Sequence, residues 1–172
     1  MAEHRIDLQA PRRHLGGRAV ATLALFIAIA LAAGGVGVLL QGSALDDGGW
    51  YDGLDKPPFT PPSWVFAPVW NVLYVAIGTA GWLLSRSRDA NRRPALALWG
   101  AQLVLNALWT GAFFGLRSPG LGLLVIALLV VAIALLIGLA ARVDRRAALL
   151  LVPYLAWVTF ATALNVGILV LN

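Results

Sequence analysis

Residues Trp50–Tyr74 read WYDGLDKPPFTPPSWVFAPVWNVLY, a segment crowded with aromatic rings and prolines that runs directly into an apolar stretch. Pro57, Pro58, Pro61 and Pro62 fix their own φ and push the residues before them toward extended geometry, so the segment is expected to be a stiff loop. Tryptophan and tyrosine favour the boundary of a bilayer, where the apolar ring and its polar hydrogen are both accommodated. The segment therefore reads either as an interfacial belt or as a lid over a pocket for a flat aromatic ligand.

Outward from this loop the chain is too apolar to bury its hydrocarbon in one soluble domain: 60% of its 172 residues are hydrophobic, 12% are charged, and the mean hydropathy is +0.81. A helix needs about 20 apolar residues to cross a bilayer. Five runs reach that length, at 18–41, 64–85, 94–116, 119–141 and 147–171, and only the connection at 42–63 is long. The expected fold is an all-α membrane protein: a five-transmembrane-helix bundle (18–172) with a proline- and aromatic-rich loop between helices 1 and 2. A tail at 1–17 precedes it, and the first apolar run is read as an uncleaved anchor.

Basic residues gather on the cytoplasmic side of short loops. Arg5, Arg12, Arg13 and Arg18 precede the first run, Arg86, Arg88, Arg92 and Arg93 follow the second, and Arg142, Arg145 and Arg146 follow the fourth. The other side carries only Lys56 and Arg117, beside the acidic Asp46, Asp47, Asp52 and Asp55. This bias predicts a multi-pass protein of the cell membrane with its N-terminus cytoplasmic and the 42–63 loop external. It also accounts for the sequence pI of about 10.7 without nucleic acid.

Cysteine is absent and both histidines, His4 and His14, lie in the tail, so the spans offer no thiol chemistry and no ligands for zinc or iron. They also lack an acid or base, the usual signature of a proton-coupled pump. Neither a nucleophile–base pair nor a phosphate-binding loop is present. Function must come from shape, stacking and neutral hydrogen bonds.

Helical spacing assigns the faces. Gln102, Asn106, Trp109 and Phe113 form one stripe on the third run; amides are costly against lipid, so this stripe should face inward as interhelical glue or pocket wall. Gly100, Ala107, Gly111 and Gly115 form the opposite face, suited to close helix packing within the bundle or to a homodimer. On the fifth run Tyr154, Trp157, Ala161 and Asn165 share a side; on the second, Trp64 and Asn71 share one side and Trp70 and Tyr74 another. Ser63 is a candidate helix cap, and Pro68 a candidate bend. The fourth run, without polar side chains, reads as lipid-facing scaffold, and Gly34, Gly35 and Gly37 in the first as a close-packing site or a flexible helix end. Counting depth from each helix end puts Trp70, Trp109 and Asn165 at about 9–10 Å and Asn106 at about 15 Å, around an outward-opening cavity floored by Tyr154 and Trp157.

These residues resemble the TspO family, the tryptophan-rich sensory proteins related to the mitochondrial translocator protein. The matching stretches are Trp50-Tyr51-Asp52 followed by KPPFTPPSWVF and Trp70, then AQLVLNALWTGAFFG, then VPYLAWVTFATALN. The resemblance implies a five-helix bundle, often dimeric, that binds porphyrins such as protoporphyrin IX. Carried over by position, Trp50, Tyr51, Trp70, Gln102, Asn106, Trp109, Tyr154, Trp157, Ala161 and Asn165 would line or close the pocket. Trp70 and Trp157 would be the facing pair implicated in light- and oxygen-dependent porphyrin breakdown. Phe59 stands where members commonly have tryptophan, and the end of the chain lacks the tyrosine and arginine of the animal sterol-recognition motif. The reading is a membrane tetrapyrrole-binding protein that senses, sequesters or degrades porphyrin, with transport of porphyrins or other amphiphiles as the alternative.

Overall fold

A computed structural model describes residues 16–46 and 48–172. The tail at 1–15, with both histidines, and Asp47 of the acidic loop lie outside the described residues. Five helices account for most of the rest: α1 (Gly17–Gln41), α2 (Phe66–Arg86), α3 (Arg92–Thr110), α4 (Pro119–Val143) and α5 (Arg145–Leu171). Each is long and apolar enough to cross a membrane. The helix ends follow local chemistry. Ser118 accepts a bond from the Leu121 amide and Asp144 from the Arg146 amide, each satisfying a donor that its helix leaves free. Ser63 does not act as a cap; it opens a 3-10 turn, Ser63–Val65, that leads into α2. Pro68 falls in the first turn of α2, where a missing N–H costs least, rather than deeper in the helix. The end of α3 widens into a π-helical turn over Gly111–Gly115.

The helices pack as a ring in the order α1, α2, α5, α4, α3, and α3 returns to α1 to close it. The small residues on α3 make that closure possible. A side chain at Gly115 would strike the backbone carbonyl of Leu40, and one at Gly111 would sit 3.3 Å from the Leu40 Cβ. Ala107 is buried as well, so most of the small-residue face is used inside the chain, while Gly100 keeps open space around it. Gly34 of α1 makes room in the same way for the Tyr74 ring.

The fourth helix is more than scaffold. Ile126, Leu129, Ile133 and Leu136 are fully buried along one stripe, and α4 packs extensively on both α5 and α3. A uniformly apolar helix carries no sequence signal for which side turns inward, because lipid and core are equally apolar solvents. The most peripheral helix is α1, whose buried residues are only Ala30 and Gly37.

The proline segment does not stay at the surface. Asn172, at the end of α5, clasps the loop: its Oδ1 accepts from the Asp55 amide at 3.0 Å and its Nδ2 donates to the Asp55 carbonyl at 3.0 Å. Pro57 then seats on Gly167, the Phe59 ring lies 6.4 Å from Phe160, and Phe66 lies 5.7 Å from Trp157. The loop thus descends beside α5 as an extended strap; from Asn172 back to Phe160 the helix covers about 18 Å. In consequence α2 starts well below the outer end of α5, and Trp70 lies level with Tyr154, ring centres 6.2 Å apart. The shallow depth expected for Trp70 is corrected accordingly, because the helices do not begin at a common plane.

Candidate functional site

The centre of the ring holds a directed chain of hydrogen bonds. The Tyr74 hydroxyl of α2 donates to Asn106 Oδ1 at 2.7 Å, and Asn106 Nδ2 donates to the Tyr154 oxygen of α5 at 3.3 Å. The Tyr154 hydroxyl donates to Gln102 Oε1 at 2.8 Å, and Gln102 Nε2 closes on the Trp99 carbonyl at 2.9 Å. Gln102, Asn106 and Tyr154 are buried almost completely, so these bonds replace solvation that hydrocarbon cannot give. Trp70 stacks on Tyr74 at 5.4 Å and 26° and covers the chain from the α2 side. Ala161 is buried in the same core cluster.

A second cluster lies toward the end of the bundle that carries the 42–62 loop. Trp109 Nε1 donates to Asn165 Oδ1 at 3.4 Å, and Asn165 Nδ2 donates to the Pro119 carbonyl at 2.8 Å, tying α3, α5 and the start of α4 together. Phe113, turned inward at the π-helical end of α3, touches Trp109, Trp50 and Tyr51 at ring separations of 6.0, 5.8 and 6.4 Å. The loop is seated on this platform. Lys56 Nζ sits 4.7 Å above the Tyr51 ring, and burial, followed by the neighbouring Asp52 charge, pushes the Tyr51 phenol above its usual value.

The open space lies elsewhere, on the outer wall of the ring. A groove of about 740 Å³ runs between α2 and α5, bounded by Pro61, Pro68, Val72, Pro153, Trp157 and Phe160. Where the outward-opening cavity was expected, the inward-turned rings and amides pack on one another. Trp157 packs against the same core cluster as Trp70, with Phe66 and Phe160 as its ring neighbours at 5.7 and 5.6 Å, whereas Trp70 contacts Tyr74 and Tyr154. The two indoles meet different neighbours rather than each other's faces.

The sequence profile of the TspO/MBR family matches residues 26–171, which take in most of α1, all of α2 to α5 and both aromatic clusters. This chain belongs to the TspO/MBR family. The Tryptophan-rich protein TspO of Chlorobaculum tepidum is 41% identical over 160 residues, 89% of this chain and 97% of that one. The protein of the same name from Archaeoglobus fulgidus is 43% identical over 123 residues, 72% of this chain and 80% of that one. The human Translocator protein is 41% identical over 119 residues, covering 67% and 70% of the two chains.

Within this TspO/MBR chain, Trp70, Gln102, Asn106, Tyr154 and Ala161 meet in the lumen, and Trp50, Tyr51, Trp109 and Asn165 meet at the outer platform. Trp157 faces the lateral groove. Sequence reasoning left Tyr74 and Phe113 out of the site, although spacing had already put Tyr74 beside Trp70 and Phe113 on the Gln102 stripe. Pro153 and Phe160 were missed for want of a signal: their role depends on how far α2 is sunk against α5. Trp64 and Asn71 face away, the first 73% exposed and the second bonded to the Ala67 carbonyl of its own helix. Among the described residues no cluster of side chains could hold a metal ion.

Proposed function

We propose that this protein binds a planar tetrapyrrole such as protoporphyrin IX inside the ring and acts as a sensor, sequestering factor or photo-oxidative degradation factor for it. The observation that carries this reading is the convergence of Trp70, Tyr74, Gln102, Asn106 and Tyr154 from three helices in one neutral, ring-walled cluster. Such a cluster offers a macrocycle stacking surfaces and, at its polar centre, donors and acceptors without charge. Access requires Trp70 to leave its stack on Tyr74, so that the ligand replaces one flat ring with another. Lys56 and Arg117, the two cations of the outer side, are the partners for the macrocycle's carboxylates. A photochemical step would draw an electron from Trp70, the indole that lies at the cluster. Two copies would pair through the Gly100 end of α3, where space remains.

Titration of the purified protein with protoporphyrin IX, followed by the porphyrin absorbance band and by tryptophan quenching, tests the reading. Trp70→Leu should weaken binding by about tenfold, the equivalent of one lost aromatic stack. Unchanged binding in that variant would remove the lumen as the site. The name Translocator protein carried by the human relative supports transport as the second reading. Protoporphyrin accumulation inside proteoliposomes, measured against binding alone, separates the two.

A further inference from the structure

The end of the bundle away from the 42–62 loop carries charge that the lumen does not use. Two tryptophans gather three helix ends there. Trp82 of α2 donates to Thr22 Oγ1 of α1 at 3.2 Å, and Trp99 of α3 packs on Phe26 of α1 with ring centres 5.2 Å apart. Because α1 and α2 run in opposite directions, Arg18 and Arg86 each lie one turn beyond the Thr22–Trp82 bond, at the same level. The Arg86 guanidinium rests 4.8 Å from the Trp82 ring centre.

The connection between α2 and α3, residues 87–91, adds Arg88, and the first turn of α3 adds Arg92 and Arg93. This connection is held by its own polar groups. Asp89 Oδ1 accepts from the Asn91 amide at 2.7 Å and from Asn91 Nδ2 at 3.0 Å, and Ser87 Oγ accepts from the Asp89 amide at 3.1 Å. Arg92 Nη1 donates to the Ser85 and Ser87 carbonyls, both at 3.3 Å, which fixes that guanidinium against the end of α2. Arg88 and Arg93 are exposed, and their side chains make neither a hydrogen bond nor an ion pair among the described residues. A cavity of about 440 Å³ is bounded by Arg88, Asp89, Ala90, Arg92 and Arg93. This corner thus sets five arginines against the single carboxylate of Asp89. At the α4–α5 connection, by contrast, Asp144 sits 3.8 Å from Arg146 Nε and offsets part of the local charge.

Depth selects the partner. α1 covers about 36 Å, more than a hydrocarbon core of about 30 Å, so Arg18 and the arginines level with it reach the layer of lipid phosphates. A guanidinium pairs with a phosphate through two parallel N–H donors, and an uncompensated basic cluster at the end of spanning helices attracts anionic lipid over zwitterionic lipid. We propose that the α2–α3 connection is a binding site for the headgroup of an anionic phospholipid. Arg88 and Arg93 hold the phosphate in the cavity together with the N–H groups that Arg92 leaves free, and Arg18 and Arg86 add attraction from the ends of α1 and α2. The site does not depend on what the lumen binds.

The experiment titrates the purified protein in detergent with phosphatidylglycerol and with phosphatidylcholine of the same acyl chains, and counts bound lipid by native mass spectrometry. Phosphatidylglycerol should bind about tenfold more tightly. Arg88→Gln with Arg93→Gln should abolish that preference; both side chains are exposed and unbonded, so the variant is expected to fold. Arg142→Gln with Arg145→Gln removes the same charge from the α4–α5 end and should leave the preference within about threefold of its original value. Glycerophosphoglycerol, the same headgroup without acyl chains, should not displace the lipid. Equal binding of the two lipids, equal losses in the two double variants, which would mark a diffuse field in place of a site, or displacement by the free headgroup, which would mark a site for soluble phosphate esters, would each overturn the proposal.

Discussion

The lumen of the ring and the groove on its outer wall are built from the same kinds of residue and differ in how they treat a polar hydrogen. In the lumen, Tyr74, Asn106, Tyr154, Gln102 and the Trp99 carbonyl pass hydrogen bonds along in one direction, and buried amides are stabilising because every strong group has a partner. Trp157, whose side chain borders the groove, keeps a buried N–H without a hydrogen-bond partner. A closed network yields only to a ligand that displaces a ring, whereas an unpaired donor is a standing cost that its removal relieves.

Asn106→Leu strikes the first side of this contrast hardest. It strands the Tyr74 hydroxyl and takes a donor from Tyr154, and the expected loss is about 2 kcal/mol, read as a lower unfolding midpoint in detergent micelles. A change below about 0.5 kcal/mol would mean that the buried phenol finds another partner and that the lumen is looser than its bonding suggests. Gly167→Val comes next, because any side chain there meets Pro57 and pries the strap from α5. It should cost about 1–2 kcal/mol and make the 55–62 segment more open to proteolysis. An unaltered cleavage pattern would separate the strap from the groove it roofs.

Trp157→Phe should be close to neutral, within about 1 kcal/mol either way, since lost ring packing is offset by removal of the unpaired donor. A large destabilisation would erase the distinction between the two regions. The smallest effect belongs to Tyr51. Its raised folded-state value favours the neutral phenol, so its contribution is complete below the unfolded value of about 10 and is lost as pH climbs through the folded one. Unfolding midpoints should fall between about pH 8 and pH 10.5 by more in the unsubstituted protein than in Tyr51→Phe.

Much of the site was legible because amides and indoles at helical spacing can avoid lipid in only one way. Gln102, Asn106, Trp109 and Phe113 all turn inward, and Gly111 and Gly115 admit a neighbouring helix. Two features resisted. The orientation of α4 was hidden because its stripe of Ile126, Leu129, Ile133 and Leu136 is no more apolar than its lipid-facing side. The depth of Trp70 was hidden because it was counted from a helix end assumed level with that of α5.

By itself the sequence determined the five spans, the stiffness of the proline segment and which face of α3 and α5 carries polar groups, since the length of a hydrocarbon crossing and the periodicity of a helix are local quantities. Only the tertiary structure decided how far α2 slides along α5, that the strap descends to fill the difference, and that the inward-turned rings and amides pack on one another beside a groove between α2 and α5. Those outcomes depend on relative translation of helices, which is set by contacts such as Asn172 with Asp55 and Pro57 with Gly167 between residues more than a hundred positions apart.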